Sequence, residues 1–336
     1  MIKEAIIKLT KKEDLDVNTA ECVMDEIMSG KASNLQIGAY LIALSMKGES
    51  IEEITASAKI MRQHALKLLN DLKVLEIVGT GGDHSNSFNI STTSSIVVAA
   101  CGVPVAKHGN RAATSKCGAA DVLEELGVKI DLEPEKAKQV LDQIGICFLF
   151  AQKYHSAMQF VAPVRKELSI RTIFNILGPL SNPAGASFQL MGVYDESLVE
   201  PLAQVLLNLG VERGLVVYGL EGLDEISLVG KTKVCEIRDG WVKNYEIDPR
   251  EYGFDLCKKE ELVGGTPKDN AEIIRDIFNG KKGPKRDTVV LNSAAALYIG
   301  REDLTLSQAI EEVKDAIESG KALSKLNEMI TATNEV

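Results

Sequence analysis

The chain is 336 residues long, room for a large buried core and, at ordinary domain sizes, about two structural units. Its 48 acidic and 38 basic side chains leave a net charge of -10, which argues against a nucleic-acid-binding or membrane-surface protein. An anionic ligand must then be gripped locally, by backbone amides, a few cations or a metal.

The residues Met1-Ile2-Lys3-Glu4-Ala5 mix charges of both signs with no apolar signal region. The longest apolar stretch, Ile96 to Ala106, is too short to cross a bilayer, so a cytoplasmic protein is expected. Cys22, Cys101, Cys117, Cys147, Cys235 and Cys257 are scattered without a C-x-x-C pair, so neither a disulfide framework nor a zinc site is expected.

The first sixty-odd residues read as helix. Asn18 with Glu21, Ser33 with Gln36 and Ser50 with Glu53 have capping-box spacing, each ahead of an apolar-periodic segment. Ala20, Val23, Met24, Ile27 and Met28 form one helical stripe. Leu35 to Met46 is apolar around most of its circumference, which predicts that it docks on the main body or forms a subunit interface. Beyond about Leu72, short β-like runs alternate with helical patterns. The runs are Val74–Val78, Val103–Ala106, Val128–Leu132, Cys147–Phe150, Phe188–Val193 and Leu215–Tyr218; the helices are Ser91–Cys101, Gly118–Leu126, Pro134–Ile144 and Leu198–Leu209. Alternation of this kind predicts an α/β fold with a mostly parallel sheet, binding ligands beyond the carboxyl ends of its strands. Tyr154 to Pro183, with several prolines, breaks away from the sheet as helices; Asp287–Ile299 and a segment opened by Thr305 with Gln308 are helical too.

Three loops carry the chemistry. Gly79-Thr80-Gly81-Gly82-Asp83 follows the first strand and precedes the helix begun at Asn89-Ile90-Ser91-Thr92. A glycine turn there presents free amides at the positive end of a helix and suits phosphate, although it matches neither nucleotide fingerprint. Lys107-His108-Gly109-Asn110-Arg111, running on to Ser115, follows the second strand and adds cations for a second phosphoryl group. Asp224 and Glu225, beyond the strand Leu215–Tyr218, suit Mg²⁺, which takes one or two carboxylates with phosphate oxygens and water. Each loop has a plainer reading as a tight turn, a solvated basic loop or an acidic turn.

These motifs, together with Val164-Arg165-Lys166-Glu167-Leu168 and Arg171-Thr172-Ile173-Phe174-Asn175-Ile176-Leu177-Gly178-Pro179-Leu180, resemble the anthranilate phosphoribosyltransferases, in order and over nearly the whole chain. The resemblance implies a nucleoside phosphorylase/phosphoribosyltransferase-like fold: a small all-helical domain, 1–70 joined by helices from about 163–183, and a larger α/β domain, 71–336. It further implies a homodimer through the helical domain. The implied reaction moves the 5-phosphoribosyl group of 5-phosphoribosyl 1-diphosphate onto the amino group of anthranilate, with Mg²⁺, in tryptophan biosynthesis.

Carried over by position, Gly79, Gly82, Asp83, Ser87, Asn89, Ile90, Ser91 and Thr92 line the donor site. Lys107, His108, Gly109, Asn110, Arg111, Ala112, Ala113, Thr114 and Ser115 complete it. Ser91, Asp224 and Glu225 surround magnesium; Asp224, Glu225 and Lys107 are the catalytic set. Arg165 pairs with the anthranilate carboxylate, Gly79 and Asn110 place the ring, and His155 flanks its path. Cys117 and Ala119 stand where the family commonly has serines. A pyrimidine nucleoside phosphorylase of related fold and a noncatalytic phosphate-ligand sensor are the competing readings.

Overall fold

The computed structural model describes residues 1–112 and 115–336. Four helices come first: α1 (Ile2–Thr10), α2 (Val17–Met28), α3 (Asn34–Lys47) and α4 (Ile51–His64). The capping boxes of α3 and α4 form as the sequence predicts, with Ser33 and Gln36, and Ser50 and Glu53, satisfying each other's backbone amides. The box placed at Asn18 does not form. Asp16 caps α2 instead, accepting from the Thr19 amide at 2.9 Å. An aspartate caps as well as asparagine and adds a favourable charge at the positive helix end.

The α/β part follows in the order β1 (Leu75–Gly79), α5 (Ile90–Ala100), β2 (Val105–Gly109), α6 (Ala119–Glu125), α7 (Pro134–Ile144), β3 (Ile146–Phe150), α8 (Ala151–Tyr154), α9 (Ala162–Leu168), α10 (Phe174–Leu177), β4 (Phe188–Gly192), α11 (Val199–Asn208) and β5 (Arg213–Gly219). It ends with β6 (Thr232–Arg238), β7 (Trp241–Ile247), α12 (Pro267–Phe278), α13 (Pro284–Gly300), α14 (Leu306–Glu318) and α15 (Lys321–Glu335). The sheet runs β3-β2-β1-β4-β5-β6-β7, parallel from β3 through β5 and antiparallel at β6 and β7. The chain winds outward from β1 to β3 on one side, then returns to β4 and winds the other way. The gap above β1 and β4 is therefore the topological switch point, where open α/β sheets bind ligands.

One further expectation fails and one element was missed. Val128–Leu132 is no strand, although Val128, Ile130 and Leu132 are buried in alternation. The Lys129 amide bonds the Thr333 hydroxyl at 3.2 Å, so the period of two records alternating burial without a ladder. The β6–β7 hairpin was not anticipated. Its turn places Asp239 (φ 49°) and Gly240 (φ 80°) in the left-handed region, the use for which Asp-Gly is favoured between paired strands.

Strand alternation splits the core. Leu75, Ile77, Leu190, Leu215 and Val217 face a core shared with α5 and α12–α15. Met191, Val193 and Val216 face a second, which includes α1–α4, α9, α10 and α11, and a smaller third lies between β2, β3 and α7. The N-terminal helices and the α9–α10 segment thus share one core against the sheet, and the latter brings Arg165 and Phe174 to the switch point. On α3, Ile37, Tyr40, Leu41 and Leu44 are buried, but Leu35 and Met46 remain 84% and 79% exposed. No helix is long and apolar enough to cross a membrane among the described residues.

Candidate active site

A cleft of about 480 Å³ opens above the carboxyl ends of β1 and β2. It is walled by the turns after those strands, the segment after β5, and α9 and α10. Every candidate donor, acceptor and metal residue that the structure describes lines it; Ala113 and Thr114 lie outside the described residues. His155 does not line it.

Glycines let the walls approach. A Cβ on Gly79 would strike the Asp224 carboxylate, and one on Gly192, at the end of β4, would coincide with the Asp224 backbone carbonyl. The acidic turn can therefore lie directly over the ends of β1 and β4. The glycine turn is tied at two points there. Thr80 donates its amide to Gly192 O at 2.9 Å and accepts from the Tyr194 amide at 3.0 Å, while the Gly81 amide donates to Asp224 Oδ2 at 2.7 Å. Gly81 and Gly82 both take positive φ, 66° and 74°, which closes this turn without a Cβ penalty.

The turn leads past Ser87, which bridges Val263, to Asn89 and α5. Asn89 makes no side-chain cap, because its amide group faces Cys117, donating to the backbone carbonyl at 3.4 Å and accepting from Sγ at 3.2 Å. That contact joins the first loop to the second, with Ile90 buried and Ser91 and Thr92 following in the first turn of α5.

The second loop is braced by Asp121, which accepts from the Ala112 and Gly118 amides, both at 2.9 Å. Arg111 is directed outward and pairs with Asp121 at 3.0 Å and Glu124 at 2.8 Å, so its charge is largely spent on holding the loop. Lys107 is 4% exposed; its ammonium donates to Ile77 O at 2.7 Å. Burial lowers its pKa, with Glu76 and Glu225 pulling the other way. His108 is buried against His155, ring centroids 5.0 Å apart, and burial lowers the two pKa values to about 3 and about 4. Both rings are neutral near neutral pH. Asn110 accepts from Gln152 at 3.3 Å at the loop's outer edge.

The acidic side of the cleft is crowded. Burial raises the Asp224 pKa well above its ordinary value, and Asp83 and Glu225 raise it further. Glu225 is also raised by burial, though Ser91, which donates its hydroxyl to Glu225, counteracts this. Asp83 Oδ2 is buried with no hydrogen-bond partner. Three carboxylates in one buried spot, one with an orphaned oxygen, fit a cation. Among the described residues no group of three or more His, Cys, Asp or Glu encloses a metal by itself. Magnesium does not need one, since it keeps waters and takes ligand phosphates alongside one or two carboxylates.

Across the cleft Arg165, in the last turn of α9, lies 5.9 Å from the Phe174 ring centroid. Burial lowers its pKa, and among the described residues its guanidinium meets no carboxylate and makes no hydrogen bond. A half-buried cation without a partner beside an aromatic ring is arranged for an anionic, flat ligand.

Sequence reasoning missed the residues that hold these loops. Asn292 of α13 grips Ile226 on both sides, accepting from its amide at 2.9 Å and donating to its carbonyl at 2.7 Å, which fixes the acidic turn. Asn270 of α12 accepts from the Asn89 amide at 3.1 Å. Asp121 is the third such residue. Each lies far along the chain from its partner or inside an ordinary helix pattern. Only a polar residue on an otherwise apolar helix face, as at Asn292, offers a sequence signal.

Residues 3–65 match the model of the glycosyl transferase family, helical bundle domain, and residues 71–323 that of the glycosyl transferase family, a/b domain. An anthranilate phosphoribosyltransferase of Methanobrevibacter smithii is 64% identical over 99% of this chain and 100% of its own length. The chain belongs to the anthranilate phosphoribosyltransferase family. The family enzyme of Thermus thermophilus superposes with a TM-score of 0.93 at 41% identity, over 98% of this chain and 99% of that one. The family enzyme of Saccharomyces cerevisiae, solved with PRPP and Mg, gives a TM-score of 0.91 at 27% identity, over 100% and 98%. These family relatives favour the transferase over the nucleoside phosphorylase alternative.

Proposed function

We propose that this protein transfers the 5-phosphoribosyl group from 5-phosphoribosyl 1-diphosphate to the amino group of anthranilate, releasing diphosphate, as a step of tryptophan biosynthesis. The observation that carries the reading is the pairing, within one cleft, of an Arg165 that meets no carboxylate among the described residues with a buried carboxylate cluster under a glycine turn. One side suits a ligand carboxylate and the other a cation bridging to phosphoryl oxygens.

Breaking the bond at the anomeric carbon develops positive charge on the ribose and negative charge on the departing diphosphate. The Gly82 and Asp83 amides and those of Ser91 and Thr92 at the start of α5, with the Lys107 ammonium, stabilise the leaving charge without reorganising. Arg165 and Asn110 hold the acceptor with its amine behind the sugar, which converts an encounter into an oriented attack. An aromatic amine is neutral near neutral pH and needs no strong base, consistent with two neutral histidines nearby. Mg²⁺ fits Asp224, Glu225 and Ser91 and would supply charge neutralisation of the diphosphate when bound.

The same reading assigns Gly79, Gly82, Asp83, Ser87, Asn89 through Thr92 and the loop from Lys107 to Ser115 to the donor. It divides the chain into a helical domain, 1–70 with helices of about 163–183, and an α/β domain, 71–336. The exposed Leu35 and Met46, three turns apart on α3, support a homodimer through the helical domain. Leu35→Asp should then yield monomers in light scattering, and unchanged mass at all concentrations would remove that assignment. A cytoplasmic location agrees with the biosynthetic role. The central test follows loss of anthranilate fluorescence with donor and Mg²⁺ together and with each omitted. Loss only in the complete mixture is expected; turnover of thymidine with phosphate instead would overturn the reading.

A further inference from the structure

The glycine turn has a third tie, and it comes from the acceptor side of the cleft. Arg171 lies on the stretch between α9 and α10, six residues beyond Arg165. Its guanidinium donates to the carbonyl oxygen of Gly82 and lies 4.0 Å from the ring centroid of Tyr194, just past β4. Tyr194 is itself tied to the turn through Thr80. Arg171 is outside the cleft lining. A trans peptide points its C=O and N–H in opposite directions, so a Gly82 carbonyl held by Arg171 leaves the Asp83 amide facing away from Arg171, free for a ligand of the cleft that Gly82 and Asp83 line. Among the described residues that amide donates to nothing.

We propose that Arg171, seated on Tyr194, is a positioning residue that fixes the Gly82–Asp83 peptide for the phosphoryl groups of the donor. It ties the segment carrying Arg165 to the turn that grips the donor. The flat guanidinium suits both tasks, since it stacks on an aromatic face while its edge still donates. Lysine keeps the charge but loses the planar fork. This inference rests on the proposed reaction, because the free amide is assigned to the donor.

The test compares wild type, Arg171→Ala, Arg171→Lys, Tyr194→Leu and the Arg171→Ala, Tyr194→Leu double variant in the fluorescence assay, with donor and acceptor varied separately. Loss of one charge-assisted bond should raise the donor KM about tenfold in Arg171→Ala and leave the anthranilate KM within about twofold. Lysine should restore part of the donor KM, and a small guanidinium salt should rescue the alanine variant. The double variant should be no worse than Arg171→Ala, because the two side chains act as one unit. A purely structural role would instead lower melting temperature and active fraction with the donor KM unchanged. That result, equal rises in both KM values, or additive losses would overturn the inference. Where the alanine variant does not fold, Arg171→Lys and Tyr194→Leu decide by the same donor-selective criterion. Absence of transfer in the wild type would be a failure of the reaction assignment and not of Arg171.

Discussion

Arg165→Ala tests the proposed acceptor recognition, because among the described residues the native cation has no carboxylate partner to orphan. Among the described residues no carboxylate is paired with Arg165, so its removal leaves no buried charge unmatched in the free protein. The melting temperature should barely move, apart from the packing of its stem near Phe174. In the proposed complex the acceptor is a different matter, since its carboxylate would lose a charge-assisted partner in a half-buried setting. Such a loss costs about 2–3 kcal/mol, at about 1.4 kcal/mol per decade a rise in the anthranilate KM of roughly 30- to 150-fold. The donor KM should stay within about twofold, because the turns proposed to hold the phosphoryl groups lie across the cleft. Steady-state fluorescence with each substrate varied measures both values. The methyl ester of anthranilate supplies an internal control: wild type should discriminate strongly against it, and Arg165→Ala should treat ester and acid nearly alike. Parallel rises in the two KM values, or preserved discrimination, would refute the pairing of Arg165 with the carboxylate.

Asp224→Asn combined with Glu225→Gln should cut turnover at least about a hundredfold and raise the Mg²⁺ concentration for half-maximal rate, read from metal titrations of the assay; an unchanged titration would remove these residues from the metal site. Asn292→Ala strips both backbone partners from buried Ile226, at about 1–3 kcal/mol for each orphaned group, so calorimetry should show a lower melting temperature and the assay a weaker response to Mg²⁺. The buried pair His108 and His155 predicts acid sensitivity. Their folded pKa values, about 3 and about 4, lie below the ordinary 6.5, so their stabilising contribution is full above about pH 6.5 and is lost as pH falls toward those values. At about pH 5 each histidine costs about 2 kcal/mol, from about 1.4 kcal/mol per pH unit over about 1.5 units. Denaturant titrations should show His155→Gln losing less stability than wild type between about pH 7 and pH 5. A parallel loss would contradict the assignment.

The amino-acid sequence alone determined the features that repeat at short range. The caps at Ser33, Ser50 and Thr305, the strand–glycine–helix order around Gly79, and the alternation giving a parallel sheet all depend on residues within a turn or two of one another. The local signals failed where a neighbour far along the chain intervened or a short signal was passed over. Val128–Leu132 has a strand's alternation, but α15 supplies a hydroxyl where a ladder would be needed. Asp239-Gly240 did mark a hairpin, two residues too brief to stand out without its pairing partners.

Only the tertiary structure decided how the loops divide their labour. Arg111 and Lys107 are both cations in one motif. Packing sends the first outward to Asp121 and Glu124 and buries the second against Ile77 O. Asp224 can sit over β1 and β4 only because Gly79 and Gly192, 113 residues apart, both lack a Cβ where its backbone and carboxylate pass. Spacing along a chain fixes local geometry, but burial, charge crowding and steric clearance depend on which distant segments meet, and the sheet's winding sets that.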